Sequence, residues 1–596
     1  MADNWNHQIN PTWDLDAVFP GGSSSFEFET FLQGLEQDIN QLGQEIQTLI
    51  PGDFTPIIKL VPQIQSIIAR SREAGSFVGC LTAQNVKDER AKLLNSRITG
   101  MRARLSVAMT AFDASLLNLS DADFAKLQEH LEMSPLAFFL SEHRERMREK
   151  LDPARETIIS NLMVDGYHAW GDLYDTVVGR IEIPFEENDS VSMLSVGQAF
   201  NKLDSADKHQ RDETFVKWEA AWAKEAELCA AALNHLSGFR LAVYEERGWG
   251  NVLQEPLTVN RMAEQTLQVM WNVIEQNKGP FLKYLQRKAQ LLGVEQLNWT
   301  DVTAPLTKKS RHFTYQEAQD FVVKHFSEFS PNMGDFAGQC FTKRWIEAED
   351  RPGKMPGGFC TSFPVSEQTR IFMTYSGTTS NVFTLAHELG HAYHQHVMRG
   401  VPVLLQSYAM NVAETASTFA EMVVGDAALK TAQSREEKLA LLEDKIQNSI
   451  AMYMNIHARF LFETRFYDER KKGVVSVDHL NRLMEEAQRE AFVNSLSSYH
   501  PYFWAAKLHF YITGVPFYNF PYTFGYLFSA GIYARAKEEG AGFANRYVEL
   551  LQDTGRMKVE DLAAKHLGVD LTKPDFWQSA VDVTLADVNE FLALTE

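Results

Sequence analysis

Phe383-Thr384-Leu385-Ala386-His387-Glu388-Leu389-Gly390-His391-Ala392-Tyr393-His394 is the stretch around which the rest of the chain is organised. Two histidines stand four residues apart, with a glutamate directly after the first. On an α-helix, positions i and i+4 lie one above the other on one face, so His387 and His391 aim their imidazoles at one point. Glu388 projects about 100° further round the helix and reaches a water at that point without being a ligand itself. Thr384, Leu385, Ala386, Leu389, Ala392 and Tyr393 are uncharged, so the helix reads as buried. A buried carboxylate with neither metal nor cation is costly. Two neutral nitrogen ligands, an open coordination position and an adjacent carboxylate base are what a zinc hydrolase needs. Gly390 costs about 1 kcal/mol relative to alanine in mid-helix, which predicts a close backbone approach there.

Zinc needs a third ligand. His394 follows His387 by seven residues, about 10 Å along a straight helix, which is too far for three side chains to converge. From Ala392 to Ala413 the chain carries no Asp or Glu, and the first carboxylate after that is Glu414. It lies in Asn411-Val412-Ala413-Glu414-Thr415-Ala416-Ser417-Thr418-Phe419-Ala420-Glu421, where Val412, Ala416, Phe419 and Val423 mark an apolar helix face. Arg399-Gly400-Val401-Pro402 breaks the chain between the two helices. An antiparallel return makes Glu414 the candidate third ligand. Glu421, two turns on, is a candidate acceptor for the second nitrogen of a ligand histidine. Its plainer reading is a solvated helix carboxylate.

His387-Glu388-Leu389-Gly390-His391 followed by Ala413-Glu414-Thr415-Ala416-Ser417 resembles the oligoendopeptidase F family. These are relatives of thimet oligopeptidase, zinc metallopeptidases with a glutamate as third ligand. The resemblance begins at Trp13-Asp14-Leu15-Asp16 and runs to about Ser529. It implies a mostly α-helical, large multi-helix metallopeptidase with a small β-sheet beside the zinc-binding helix. It also implies two lobes around a deep channel that excludes folded proteins, one Zn2+ per chain, and oligopeptide substrates.

The composition agrees with a large soluble protein. At 596 residues the chain exceeds a single core, so two or more packed lobes are expected. A formal net charge of -21 disfavours nucleic-acid and anionic-membrane partners. Met1-Ala2-Asp3-Asn4-Trp5-Asn6 has neither the basic region nor the apolar core of a signal peptide. No apolar run is long enough to span a membrane. Cys80, Cys229, Cys340 and Cys360 are scattered, without Cys-x-x-Cys, and read as reduced thiols of a cytoplasmic protein.

Along the chain, Phe28, Leu32, Leu35, Ile39, Leu42, Ile46 and Leu49 alternate steps of four and three, an amphipathic helix stopped by Pro51-Gly52. Similar patterns fill residues 56–150, and residues 167–183 read as a further helix. Pro184-Phe185-Glu186-Glu187-Asn188-Asp189-Ser190 is a polar break. It divides an N-terminal helical lobe, 1–190, from a catalytic region, 191–596. Helices are expected near 206–247, 258–293 and 314–328, and from the Ser434-x-x-Glu437 capping box onward. The β signal is confined to Gly357-Gly358-Phe359-Cys360-Thr361-Ser362-Phe363 and Arg370-Ile371-Phe372-Met373-Thr374-Tyr375. The resemblance gives Gly357, Gly358 and Phe359 the role of an edge strand that pairs with the substrate backbone. A small structural hairpin is the alternative.

Residues 499–533 are unusually aromatic. Tyr518, Tyr522 and Tyr526 are spaced by four, on one face of any helix that extends back past Pro521. Buried tyrosines need a partner for the hydroxyl. The resemblance sets such tyrosines and a histidine, here His509, across the cleft from zinc, where they bind the substrate carbonyl. One extra residue between Tyr518 and Gly525 departs from the thimet-type pattern and leaves open which tyrosine acts. Tyr522 fits best, just after Pro521 in a helix's first turn.

The sequence thus predicts a cytoplasmic zinc endopeptidase of oligopeptides. His387, His391 and Glu414 hold the metal, Glu388 is the base, and His509 and Tyr522 stabilise the oxyanion. Gly357, Gly358, Phe359, Tyr518 and Tyr526 bind substrate, and Glu421 supports a ligand. A metallo-carboxypeptidase or dipeptidase on the same scaffold, or a silent helical peptide-binding protein, are the alternatives.

Overall fold

The computed structural model describes residues 9–187, 190–307 and 312–596. The expectation about a signal peptide at Met1 to Asn6 lies outside the described residues, as do Asn188 and Asp189 of the polar break. The fold is almost entirely helical, with one two-stranded and one three-stranded sheet among the described residues. No helix among them is long and apolar enough to cross a membrane.

The N-terminal helix Phe26–Gln47 buries Phe28, Leu32, Leu35, Ile39, Leu42 and Ile46, the stripe expected from its spacing. Ser25 caps it by accepting from the Phe28 N–H at 3.2 Å. Leu49 falls past the helix end and is half-buried. Thr55–Gln84 and Glu89–Leu117 pack with it around a first apolar core. That core runs from Trp13 to Leu140 in the N-terminal part and also takes in Phe363, Phe372, Val401, Leu404 and Leu405. The second, larger core begins at Tyr167 and runs to Phe591.

The cores therefore divide between Leu140 and Tyr167, ahead of the boundary expected at 190. The helix Ala169–Arg180 buries Tyr174 and Val177 in the larger core. The polar break is a β-hairpin, Ile183–Glu187 paired antiparallel with Ser190–Leu194. Its second strand is mostly exposed, so it carries no alternating apolar pattern to read. The helix expected over 258–293 is three, Gln254–Val259, Glu264–Gln276 and Lys278–Leu292.

The sheet beside the motif has Gln368–Phe372 in the centre, with Ile346–Glu347 parallel on one side and Phe359–Phe363 antiparallel on the other. Phe359–Phe363 is thus an edge strand. The N-terminal segment fastens this sheet. Arg370 Nε donates to the Asp14 carbonyl at 3.2 Å, and Asp14 N–H donates to the Arg344 carbonyl at 2.8 Å. Glu73 accepts the Val365 N–H at 2.9 Å and the Ser366 N–H at 3.2 Å. The bonds at Asp14 give the Trp13–Asp16 stretch its structural work.

Candidate metal centre and catalytic site

The motif helix is Thr379–Val397. Thr378 and Asn381 form a reciprocal capping box at its start. The return helix, Thr415–Thr431, follows the short helix Met410–Ala413. Glu414 is the residue at the joint, with φ -87° and ψ 4°. Contacts run His387 to Glu421, Gly390 to Ala416 and Ser417, and His391 to Glu414, so the two helices are antiparallel. A Cβ on Gly390 would lie 2.5 Å from the Ala416 carbonyl oxygen, which is the close approach its position predicted. On the other side the helix Phe520–Glu539 packs against the joint, where a Cβ on Gly525 would lie 3.4 Å from Glu414 Cβ. Ser529 donates to the Thr415 carbonyl at 3.2 Å. Glu414 is therefore held between two helices by small residues.

The side chains converge as this framework requires. His387 Nε2 and His391 Nε2 are 3.1 Å apart. Glu414 Oε2 lies 3.3 Å from the first and 3.4 Å from the second. All three ligand atoms fall within 4.8 Å of one another, the one such group among the described residues. Glu421 Oε1 accepts from His387 Nδ1, which turns the His387 Nε2 lone pair toward the group. Ser417 Oγ donates to Glu414 Oε2 at 2.8 Å.

Burial opposes charge on His387, but hydrogen bonds to Glu414 and Glu421 outweigh it and push the imidazole up to about 10. Glu414 is buried as well, yet the two histidines hold its carboxyl well below the usual range. Two nitrogens and one carboxylate oxygen, pointing at one spot with Glu421 holding the other nitrogen of His387, fit zinc.

Glu388 stands beside this group, 6% exposed, and its Oε2 has no hydrogen-bond partner. Burial pushes its carboxyl up, despite the opposing charges of His387 and His391. His394, by contrast, turns away. Its Nε2 lies 2.9 Å from Thr554 Oγ1, its ring stacks on Tyr408 at 4.3 Å, and burial pushes it down to about 3.

A cavity of about 390 Å³ is lined by Gly358, Phe359, Cys360, His387, Glu388, His391, Gln395, Tyr408 and Glu414. The edge strand thus opens onto the histidines at its Gly358 end, and Gly357 directly precedes it. Its far end is covered, because Ser76 Oγ donates to the Ser362 carbonyl at 2.8 Å. Gln395 and Tyr408, hydrogen-bonded to each other, were not singled out from sequence. Tyr408 sits in a loop, where no periodicity marks it.

The aromatic stretch separates into two parts. Tyr518 and Tyr522 have ring centroids 4.9 Å apart, and His509 lies 5.3 Å from the first and 5.9 Å from the second. All three are half-buried. Burial and neighbouring Tyr518 push Tyr522 well above the ordinary phenol range, and the charge of Glu414 adds to this. Burial pushes His509 down to about 4, and it stays neutral.

Tyr526 is not part of the cluster. Its ring packs on Tyr453 at 5.8 Å and its hydroxyl bonds Ser449 at 2.9 Å, in the core. The helix begins at Phe520, so Tyr518 precedes it and the three tyrosines do not share one helical face. Glu463, also missed from sequence, accepts from Asn519 Nδ2 at 2.6 Å and from the Phe517 N–H at 3.3 Å. It fixes the turn that presents Tyr518.

Known proteins resemble this chain in sequence and in fold. Residues 202–583 match the sequence profile of peptidase family M3, and residues 115–182 match that of oligopeptidase F. An oligoendopeptidase F homolog of Lactococcus lactis subsp. lactis (strain IL1403) is 21% identical over 100% of this chain and 99% of its own length. The group B oligopeptidase PepB of Streptococcus agalactiae serotype III (strain NEM316) is 22% identical over 98% of this chain and 97% of its own. The crystal structure of oligoendopeptidase-F from Enterococcus faecium superposes with a TM-score of 0.70 at 16% identity, covering 95% of this chain and 98% of that one. PZ peptidase A, solved with an inhibitor, gives a TM-score of 0.72 at 16% identity, covering 94% and 97%.

Proposed function

The chain belongs to peptidase family M3, and on that premise we propose that it is a zinc-dependent endopeptidase cutting internal bonds of short oligopeptides in the cytoplasm. One observation carries the reading. His387 Nε2, His391 Nε2 and Glu414 Oε2 converge beside the unpartnered carboxylate of Glu388, in a cavity bordered by an edge strand. His387, His391 and Glu414 would hold one Zn2+. When bound, the metal supplies Lewis-acid chemistry, acidifying water and polarising a carbonyl.

The chain's own residues do the rest. Glu388 takes the proton of the attacking water and returns it to the leaving amine. Burial makes it the stronger base for the first step. Glu421 keeps His387 in the ligating tautomer. Gly358 and Phe359 pair with the substrate backbone, and Gly357 admits it to the strand. Ser76, by covering the strand's far end, limits how much of the peptide pairs. Tyr522 and His509 donate to the carbonyl oxygen as negative charge develops there. Tyr522 keeps its proton because its acidity is suppressed. Tyr518, its ring tilted against both, orients them and borders the substrate. All four cysteines are free, which supports a reducing compartment.

The test is incubation with peptides of varied length, blocked at both ends, with and without a chelator, read by mass spectrometry. Internal cleavage that the chelator abolishes and zinc restores is the expected result. An end-trimming enzyme would leave blocked peptides intact and shorten free ones, and a silent scaffold would cut neither.

A further inference from the structure

Next to the His509, Tyr518 and Tyr522 cluster stand two cations that no carboxylate among the described residues pairs with. Lys507 precedes His509 by two residues, and Arg459 lies on the helix Ile456–Arg470. Both heads stand over one ring, that of Phe503. Lys507 Nζ is 5.3 Å and Arg459 Cζ 5.4 Å from its centroid. Lys507 also stands 5.3 Å from the Phe200 ring. Arg459 Nε donates to Asn455 Oδ1 at 2.9 Å. Among the described residues, neither side chain forms an ion pair with a carboxylate, and no carboxylate bears on the charge of either.

This is unusual in a chain with 78 acidic residues and 57 basic ones, where acids are the commoner neighbours. Partial burial of two like charges around one aromatic ring is costly. Cation–π contact offsets only part of it. Desolvation, with the charge of Arg459, pushes Lys507 down to about 7. Both residues are half-buried. Their charges also reach the catalytic cluster, since both depress His509 and Arg459 acts on Tyr522.

We propose that Arg459 and Lys507 form a subsite for a substrate carboxylate, so that peptides carrying one on the C-terminal side of the cut are preferred. The inference rests on the peptidase reading of the site. A guanidinium and an ammonium that meet at one ring and carry no carboxylate partner among the described residues match a carboxylate with charge-assisted hydrogen bonds. A peptide's N-terminus is a cation, so only its C-terminal end or an acidic side chain suits the pair. Such a subsite seats the peptide by its end and selects short substrates by reach as well as by channel width.

The experiment uses one peptide in three forms, as free C-terminal acid, as C-terminal amide, and as an amide with glutamate at the last position. Turnover is measured for the wild type, Lys507→Met, Lys507→Gln and Arg459→Met, with thermal unfolding to check the fold. Binding of the same peptides to Glu388→Gln is measured by calorimetry, which reads the subsite whether or not any peptide is cut.

The wild type is expected to favour the free acid over the amide by roughly 10–100-fold in kcat/KM, mostly through KM. Each variant is expected to remove most of that preference, with any change in kcat from the altered charge beside His509 and Tyr522 shared equally by acid and amide. If the glutamate-bearing amide gains the preference instead, and loses it in the variants, the carboxylate read is a side chain. Equal handling of all three peptides, in turnover and in binding, overturns the proposal, as does a preference that survives all three substitutions. Absence of any cleavage together with carboxylate-dependent binding would refute the peptidase reading and leave the subsite standing.

Discussion

Replacing Gly390 with alanine tests whether backbone contact between the motif helix and the return helix sets the ligand geometry. A Cβ there would lie 2.5 Å from the Ala416 carbonyl oxygen, 2.7 Å from Ser417 Cα and 2.9 Å from the Ala416 carbonyl carbon. All three are backbone atoms just after Glu414, and none can rotate away. Carbon contacts relax at roughly 3.5–4.0 Å, so the helices must part by about 1 Å at this crossing. A misplacement of about 1 Å is enough to cost about 100-fold in rate. Overpacking costs roughly 1–3 kcal/mol. Against it stands about 1 kcal/mol gained from alanine's helix propensity. The net is destabilisation of up to about 2 kcal/mol, opposite in sign to what an unobstructed glycine would give. Thermal unfolding, elemental analysis of zinc after dialysis against a weak chelator, and kcat/KM on a blocked peptide read the three consequences. A lower Tm, weaker zinc retention and a loss near 100-fold in kcat/KM are expected. A variant as stable as the wild type, with full zinc and full activity, would refute the reasoning.

Other substitutions separate the roles of neighbouring residues. Glu388→Gln is expected to retain zinc, since all three ligands remain, while kcat falls at least roughly 10²–10⁴-fold; near-normal turnover would remove Glu388 as the base. Glu414→Ala is expected to release zinc on dialysis, whereas His394→Ala keeps it and lowers Tm by loss of the Thr554 bond; the reverse pattern in metal analysis would overturn the ligand set. Glu421→Ala should weaken zinc binding roughly 10–100-fold, and an unchanged zinc dissociation constant would make Glu421 a solvated carboxylate. Tyr522→Phe is expected to cut kcat roughly 10²–10³-fold with little change in KM. Tyr526→Phe, which loses only the Ser449 bond, should lower stability by about 1 kcal/mol at most and leave kcat alone; equal kcat effects in the two would put both hydroxyls at the substrate.

The motif helix was legible because a candidate metal centre built on i, i+4 spacing is local. Two histidines and a glutamate on one helix need no tertiary information to be aimed at one point. Glu414 followed almost as directly, since the chain offers no earlier carboxylate and a broken helix pair must fold back. The N-terminal stripe from Phe28 to Ile46 was legible for the same reason, a strict helical period. What depends on pairing between distant segments was not. The hairpin at residue 183 has a mostly exposed second strand with no period to betray it. Tyr518, Tyr522 and Tyr526 look equivalent in spacing, and only the start of the helix at Phe520 and the packing of Tyr526 against Ser449 divide them.

By itself, then, the sequence determined what one helical turn and its return can hold: the histidine pair, the carboxylate beside it, the approach of Glu414, and the mostly helical class. Tertiary structure decided which surfaces face that chemistry. It brought the edge strand to Glu388, moved Tyr526 into the core, placed Arg459 and Lys507 over one phenylalanine, and sent Phe363, Phe372 and Leu405 into the N-terminal core. The physical reason is range. Periodicity and capping act within about one turn and leave their mark on consecutive residues. The burial and charge of a side chain, by contrast, are set by segments hundreds of residues away, which sequence spacing does not encode.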